Sequence, residues 1–334
     1  MKNNAGFSLL EVIITISLAG VVLAVMSRTI KTGLEVQSFL ADKNAAINWT
    51  ESVLEAYKNK NVIEEGIENS SSDFMEFSEF KNYLTSNLEQ MKIQYTTKKI
   101  KKLWTYMNFL IQENKKYNLT NITERKEITK KHFLDSLAPL AEVDMNYFEN
   151  IIDIGTGPGF PGMVWKIFFP KKEFLLVDST LKKINFLKLL SAELNIYDKL
   201  EIKHGRAEDL GNNKEYRDKF DLVLSRAVAP LNILSEYTLP FASQGAFLFY
   251  FKGPNYKKEI LNSEKAFQKL GGKLEDSLKL NIPSLEAERY LITVKKSKTT
   301  DNKYPRRAGI PKKRPSSRSL SRPRKQMLKL RKTF

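Results

Sequence analysis

The sequence predicts an α/β protein with a mostly parallel sheet, a small helical part before it, and a long apolar helix at the amino terminus. Three observations predict this. Short apolar runs alternate with helical stretches in the second half of the chain, a glycine-rich loop follows the first of those runs, and an apolar stretch fills residues 7–26. Alternating strands and helices favour a parallel sheet with crossover helices.

The individual elements follow from residue spacing. Five apolar runs are predicted strands, namely NIIDIG, EFLLVDS, LEIKHG, FDLVLSRA and GAFLFYFKG, and ERYLITVKKS supplies a late strand. Before them, apolar side chains share one face of a predicted helix at Leu103, Met107, Leu110 and Ile111. We therefore divide the chain into an apolar leader and helix (1–58), a polar linker (59–74), a helical part (75–140), the sheet-containing core (141–297) and a basic tail (298–334).

The charge of the chain is concentrated in its tail. The net charge is +17, and residues 295–334 hold 16 Lys/Arg and one acid, or +15, which leaves +2 for the rest. Such a tail indicates a polyanionic partner or a solvated end, and we expect it to be disordered in isolation. The chain has no Cys and two His, which excludes disulfides and thiolate metal sites and makes a His-rich metal site unlikely, so we predict no metal.

The glycine-rich loop is the strongest chemical signal. The predicted strand 151–154 runs into GTGPG, where Gly155 and the glycines after it permit a tight turn close to a ligand. The pattern G-x-G-x-x-G alone also fits a nicotinamide or flavin site, or a purely structural turn. Asp153 gives the fuller form D-x-G-x-G-x-G, which is typical of S-adenosylmethionine-dependent methyltransferases. Asp178 ends the second strand, where a carboxylate can accept hydrogen bonds from ribose hydroxyls.

The other predicted strands end in polar residues or glycine at the same sheet edge. Ala207 and Glu208 follow the third strand, where an acid can receive an adenine amino group. Arg226 ends the fourth strand, and Lys252 ends the fifth. Each of these alone is more often surface chemistry. Their coincidence at one edge favours a ligand site there.

At these residues the chain resembles the bacterial small-subunit ribosomal RNA methyltransferase G family, also called glucose-inhibited division protein B. The matching stretches run in family order from about residue 75 to 315 and include KKYNLTNIT, KHFLDSLAPL, DIGTGPGFPG, LVDSTLKKINFL, HGRAEDL, SRAVAPL, FKGPN, AERYLITVKK and KYPRRAGIPKKRP. The resemblance implies a class I, Rossmann-like methyltransferase fold. It also implies transfer of a methyl group from S-adenosylmethionine to guanine N7 of 16S rRNA, free or in the small ribosomal subunit, in the cytoplasm.

The resemblance also implies roles for individual residues. Cofactor contacts are implied at Gly155, Phe160, Asp178, Ser179, Thr180, Ala207, Glu208 and Arg226. Roles in catalysis or RNA binding are implied for the basic tail and for His132, Asp135 and Lys252. For His132, a satisfied and partly buried histidine is an equal alternative. The tail after Pro315 is longer than the family's usual ending.

The residue types agree with N7 chemistry independently. Neutral guanine has no proton on N7, so methyl transfer to that atom needs no general base, and positioning can supply most of the rate. The absence of Cys excludes the usual covalent route to pyrimidine C5, and no D/N-P-P-Y/F stretch marks exocyclic amine methylation.

The first residues resemble a different family. GFSLLEVIITISLAG is similar to the methylation motif of type IV prepilins and pseudopilins, with a short leader that ends at Gly6 and an acid, Glu11, at the fifth mature position. Residues 7–26 are long enough to span a bilayer, so their translation implies tethering to the inner membrane. A prepilin would place everything after the helix outside the cytoplasm, where neither rRNA nor S-adenosylmethionine is found.

Three interpretations of this conflict stay open: a natural fusion with the enzyme inside, a prepilin remnant joined by frameshift or read-through, and an enzyme that starts at Met75. The last two are favoured. The alternative function is a pseudopilin-like membrane subunit with an appended RNA-binding module. The sequence does not specify an oligomeric state.

Overall fold

The computed structural model describes residues 75–316, and a seven-stranded sheet lies at the centre of this part of the chain. The strand order is β3-β2-β1-β4-β5-β7-β6. Strands β1 to β5 pair in parallel, and β7 lies antiparallel between β5 and β6. The bounds are β1 Asn150–Ile154, β2 Glu173–Asp178, β3 Leu200–His204, β4 Phe220–Arg226, β5 Ala242–Lys252, β6 Gly272–Leu280 and β7 Arg289–Lys296. The prediction of a mostly parallel α/β sheet is confirmed.

Strand β6 is not among the strands predicted from the sequence. Its sequence, GKLEDSLKL, has charged residues at four of nine positions and a register shift between Leu274 and Asp276. An edge strand of this kind buries little apolar surface, so it lacks the continuous apolar run of a central strand.

Helices cover both faces of the sheet and precede it. Their bounds are α1 Phe77–Gln90, α2 Thr97–Tyr117, α3 125–137, α4 Gly162–Phe168, α5 Leu181–Glu193, α6 Ala207–Leu210, α7 Leu231–Thr238, α8 Tyr256–Leu261, α9 Glu264–Leu270 and α10 Ile310–Lys313. Helix α3 is α-helical at both ends and π-helical over Thr129–Leu134. Two 3-10 turns follow it, at Ala138–Ala141 and Met145–Tyr147.

Helix α2 shows why the helical part folds. Thr96 caps its start by accepting a hydrogen bond from the Lys99 N–H, and Asn118 ends it in the left-handed conformation. The predicted apolar face is confirmed, since its four residues are buried or half-buried. These side chains join a core that also contains α1, α4, α5 and one face of the sheet. The helical part and the sheet therefore share one core on that face.

A second core lies on the other face of the sheet. Successive residues of β1 point to opposite faces, so Ile151 packs with α2 and α4 while Ile152 packs with α7 and α9. Burial on both sides explains why these strands read as nearly continuous apolar runs.

The expectation of a disordered tail from residue 298 is wrong for residues 298–316, which we call the C-terminal strap. The guanidinium of Arg217 donates hydrogen bonds to the carbonyls of Thr300 and Tyr304 at 2.6 and 2.8 Å, and the amide of Asn212 donates to the Pro305 carbonyl at 3.0 Å. Composition misled the prediction because polar side chains from distant parts of the chain hold this segment, together with a few buried or half-buried positions of the strap such as Pro305 and Tyr304.

The predicted apolar helix, the linker 59–74 and the tail after Ser316 lie outside the described residues. Within residues 75–316, none of the helices combines the length and the apolar character needed to cross a bilayer.

Candidate active site at the carboxyl edge of the sheet

The glycine loop between β1 and α4 turns where the sequence analysis places it. Gly155 has a φ of +72°, and a β-carbon there would lie 2.3 Å from Cγ2 of Val228, in the segment after β4. Gly157 has a φ of +61°, and no heavy atom lies within 4 Å of where its β-carbon would be. The loop is thus tight on one side and open at its tip, which suits a ligand that approaches the backbone.

Asp178 fixes the tip of this loop. Its carboxylate accepts hydrogen bonds from the N–H groups of Gly157 and Thr180, at 2.9 and 2.8 Å, on different oxygens. Lys183 lies 3.6 Å from the same carboxylate. A carboxylate has about four lone-pair positions, so each oxygen keeps acceptor capacity. Each oxygen could therefore accept a further hydrogen bond from a donor at the loop.

Asp153 anchors the loop from behind. It is fully buried, and its Oδ2 accepts the N–H of Gly162, the first residue of α4, at 2.9 Å. Burial raises the pKa of Asp153 to about 6. The D-x-G-x-G-x-G pattern thus holds strand, loop and helix together through this carboxyl group, which faces the interior rather than a ligand.

Phe160 lies at the centre of an aromatic stack that ties the loop to the helical part. Its ring is parallel to Tyr106 of α2 at 5.2 Å between centroids and to His132 of α3 at 4.5 Å. The Tyr106 hydroxyl also donates to the Pro158 carbonyl within the loop. The helical part therefore positions the glycine loop directly. This role of Tyr106 was not predicted from the sequence.

His132 is held neutral in this stack. Its Nε2 lies 3.0 Å from the Thr120 hydroxyl. Burial, followed by the positive charge of Arg226, lowers the pKa of His132 to about 3. At neutral pH it therefore packs and hydrogen-bonds as an uncharged ring.

Asp135 joins three elements at the sheet edge. Its buried carboxylate accepts from Arg226, at the end of β4, at 2.8 Å and from Arg289, at the start of β7, at 3.1 Å. The guanidinium of Arg226 also lies 5.2 Å from the centre of the Phe160 ring. The sequence-predicted residues His132, Asp135, Phe160 and Arg226 thus form one cluster, and Arg289 gives it a net positive charge.

Arg289 is the member of the cluster that the sequence analysis missed. It begins a strand, and strand starts lie at the opposite edge in a parallel sheet. Because β7 is antiparallel, Arg289 comes to the carboxyl edge beside Lys252, whose register partner is Tyr290. The only signal in the sequence was a charge at the start of the predicted late strand, and strand direction cannot be read from it.

Lys252 contacts other residues than Asp135. Its ammonium is 2.8 Å from Glu259 and donates to the Ala229 carbonyl at 2.9 Å. It thus fixes the segment after β4 that also contains Val228, above the glycine loop. In this arrangement Lys252 holds a neighbouring backbone segment in position.

The remaining predicted cofactor residues lie around β2 and β3. The carbonyl of Ser179 is 3.1 Å from Nε2 of His204. Ala207 begins α6, and the buried carboxylate of Glu208 accepts the N–H of Gly309, in the C-terminal strap, at 3.0 Å. The acid predicted to meet an adenine amino group is therefore oriented by the strap.

Comparisons with known proteins identify two families that this chain is similar to. A family model described as rRNA small subunit methyltransferase G matches residues 99–291, more than half of the chain. A second model, the prokaryotic N-terminal methylation motif, matches residues 1–27, outside the described part.

Individual relatives carry the same family name. The ribosomal RNA small subunit methyltransferase G of Alkaliphilus oremlandii is 40% identical over 237 residues, which cover 71% of this chain and 99% of the relative. That of Lactobacillus johnsonii is 44% identical over 230 residues, or 68% and 96%. Among solved structures, an O-methyltransferase from Bacillus cereus in complex with SAH has a TM-score of 0.43 at 13% identity and covers 65% of this chain and 100% of that one. The match to the family model and these near-complete relatives show that the chain belongs to the rRNA small subunit methyltransferase G family.

Proposed function

We propose that this chain transfers the methyl group of S-adenosylmethionine to N7 of a guanine in 16S rRNA, as free RNA or in the small ribosomal subunit. Family membership supports the methyltransferase class and the rRNA substrate. The observation that carries the proposal is the glycine loop held on Asp178, beside the Phe160 stack and the Asp135–Arg226 pair.

In this proposal the cofactor lies over the glycine loop. Gly155 and the open tip at Gly157 leave room for the cofactor, and Asp178 accepts hydrogen bonds from its ribose hydroxyls. The turn Ser179–Thr180 borders the same group. Ala207 and Glu208 take the adenine, and Phe160 and Arg226 border the side of the reacting methyl group. The acceptor capacity of Asp178 and the free space at Gly157 fit such a group.

The chemistry requires little of the side chains. S-adenosylmethionine supplies an electrophilic methyl group on a sulfonium; the N7 lone pair forms the new bond, and sulfur keeps the electrons of the old one. No proton moves, so a neutral His132 is compatible with the reaction. Asp135, Arg226 and Arg289 instead fix the edge, and together they carry one net positive charge, which attracts RNA phosphates.

Family membership favours this enzyme over the alternative of a pseudopilin-like subunit with an RNA-binding module.

The direct test is incubation of the full chain with 16S rRNA and methyl-labelled S-adenosylmethionine. We expect label in the rRNA. The Asp178→Ala variant should transfer less than a hundredth as much, because its loop loses the acceptor for Gly157 and Thr180. Equal transfer by both chains would contradict the site, and no transfer by the unaltered chain would contradict the function.

A further inference from the structure

The C-terminal strap carries four exposed cations that have no anionic partner among the described residues. Arg307, Lys312, Lys313 and Arg314 are exposed. Within residues 75–316 none of the four is within 4.0 Å of a carboxylate oxygen. No acid occurs in the sequence after Asp301, so the charge of this stretch is not balanced locally.

The inner face of the strap is built differently. Arg306, the neighbour of Arg307, donates to the fully buried carboxylate of Glu236 from Nε at 2.8 Å and from Nη2 at 2.6 Å. The hydroxyl of Ser316 donates to the same carboxylate at 2.6 Å, and Lys269 donates to the Ser316 carbonyl at 2.9 Å. One arginine is thus neutralised to fix the strap, whereas the other four cations of residues 305–316 have no carboxylate partner in the described part of the chain.

The strap is fixed next to the candidate active site. Gly309 donates to Glu208, which follows β3 at the carboxyl edge, and α10 begins at the next residue. Lys312 and Lys313 lie in α10, which packs against α7, the helix that follows β4. The cations are therefore held within a few residues of a predicted cofactor contact.

From this arrangement we propose that the C-terminal strap is a phosphate-binding surface for the RNA substrate, built from Arg307, Lys312, Lys313 and Arg314. A rigid strap presents its cations at fixed spacing, so they can follow a nucleic-acid backbone without the ordering cost that a disordered tail pays. The inference rests on the proposed function, since it names how that function's substrate is held.

The test is RNA affinity as a function of salt, measured on the full chain with 16S rRNA. We compare a variant with all four residues changed to Gln against a control with Lys171, Lys214, Lys219 and Lys273 changed to Gln. The control residues are exposed, lack carboxylate partners among the described residues, and lie outside the carboxyl edge, three of them at or just before the starts of β2, β4 and β6. Both variants lose the same charge, so a difference between them reports position.

We expect the strap variant to bind at least about tenfold more weakly at moderate salt, with the slope of log affinity against log salt reduced by about 3, since each lost phosphate contact removes about 0.7–0.9. The control should change both values much less. Both variants should keep the midpoint temperature of thermal unfolding of the unaltered chain, because none of the eight side chains is buried.

Equal losses in both variants, or no loss in the strap variant, would overturn the proposal. So would a strap variant that loses binding to anionic phospholipid vesicles but not to RNA. Because affinity is measured without turnover, a chain that binds RNA through the strap but transfers no methyl group would contradict the proposed function alone.

Discussion

At the scale of single residues, the candidate site depends on a few groups whose surroundings fix their chemistry. Asp153 and His132 are both buried, and burial favours the uncharged form of each, raising the pKa of the acid and lowering that of the base. Asp178 instead receives two backbone N–H groups. The sequence indicated all three residues but not these differences, because burial depends on packing from distant elements.

Gly155→Ala should weaken binding of S-adenosylmethionine by at least about tenfold, which corresponds to about 1.4 kcal/mol. An added β-carbon would lie 2.3 Å from Val228 and must displace either the loop or the segment after β4. A side chain at Gly155 would therefore both fill space that the ligand needs and collide with Val228.

Isothermal calorimetry measures this, with Gly245→Ala as the matched control. Gly245 also has a positive φ, +87°, but open space around the β-carbon position, so it carries similar backbone strain without the clash. Equal cofactor affinity in the Gly155 variant and the unaltered chain would show that the loop does not bind the cofactor.

His132 should show no protonation in NMR titrations of the folded chain until the pH approaches about 3. In the unfolded chain the His132 ring takes up a proton below about pH 6.5. The contribution of His132 to the free energy of unfolding therefore falls as the pH drops from about 6.5 to about 3. The raised pKa of Asp153 acts in the opposite direction, since it reduces stability as the pH rises from about 3.8 to about 6.

The two effects overlap, and therefore a site-specific method is needed. The chain has two histidines, so the His132→Gln variant assigns the ring signal. A His132 signal that titrates near pH 6.5 would mean that the ring is exposed and charged, contrary to the stack on Phe160.

At the scale of elements, the C-terminal strap and strand β7 show where sequence reasoning was insufficient. The apolar runs of β1–β5 and the apolar face of α2 were predicted because burial on the sheet faces leaves a pattern in the sequence. The strap leaves none, since it is held by Arg217, Asn212 and Glu236 from elements far away in the chain. Likewise, the reversal of β7, which brings Arg289 to the site, depends on pairing rather than on composition.

Arg306→Gln should lower the free energy of unfolding by about 3 kcal/mol, because it leaves the buried carboxylate of Glu236 without its charged partner. Burial raises the pKa of Glu236, but hydrogen bonds from Arg306 and Ser316 outweigh this and hold its pKa below the usual value. The pair therefore stabilises the strap at neutral pH, and its contribution is lost in acid as the carboxylate takes up a proton.

Urea unfolding followed by tryptophan fluorescence measures the change. Arg307→Gln is the control, since Arg307 is exposed and its replacement should cost no more than about 0.5 kcal/mol. Similar midpoints for the two variants would mean that the strap is not fixed by the pair.

At the scale of the whole molecule, the sheet brings sequence-distant residues to one edge. Asp178, Arg226 and Lys252 end β2, β4 and β5, and the parallel order places these ends together. This could be predicted from the alternation of strands and helices. The grouping of His132 and Asp135 with Phe160 could not, since it depends on how α3 packs against the loop, and only the family resemblance indicated those residues.

The measurement that tests the central claim most directly is identification of the methylated nucleoside. The full chain is incubated with unmodified 16S rRNA or small subunits and deuterated S-adenosylmethionine, and the digested RNA is analysed by liquid chromatography and mass spectrometry. We predict deuterated 7-methylguanosine, at a level that falls at least about tenfold with Gly155→Ala and little with Gly245→Ala. Deuterium in another nucleoside, or in none while the chain binds the cofactor, would contradict the account.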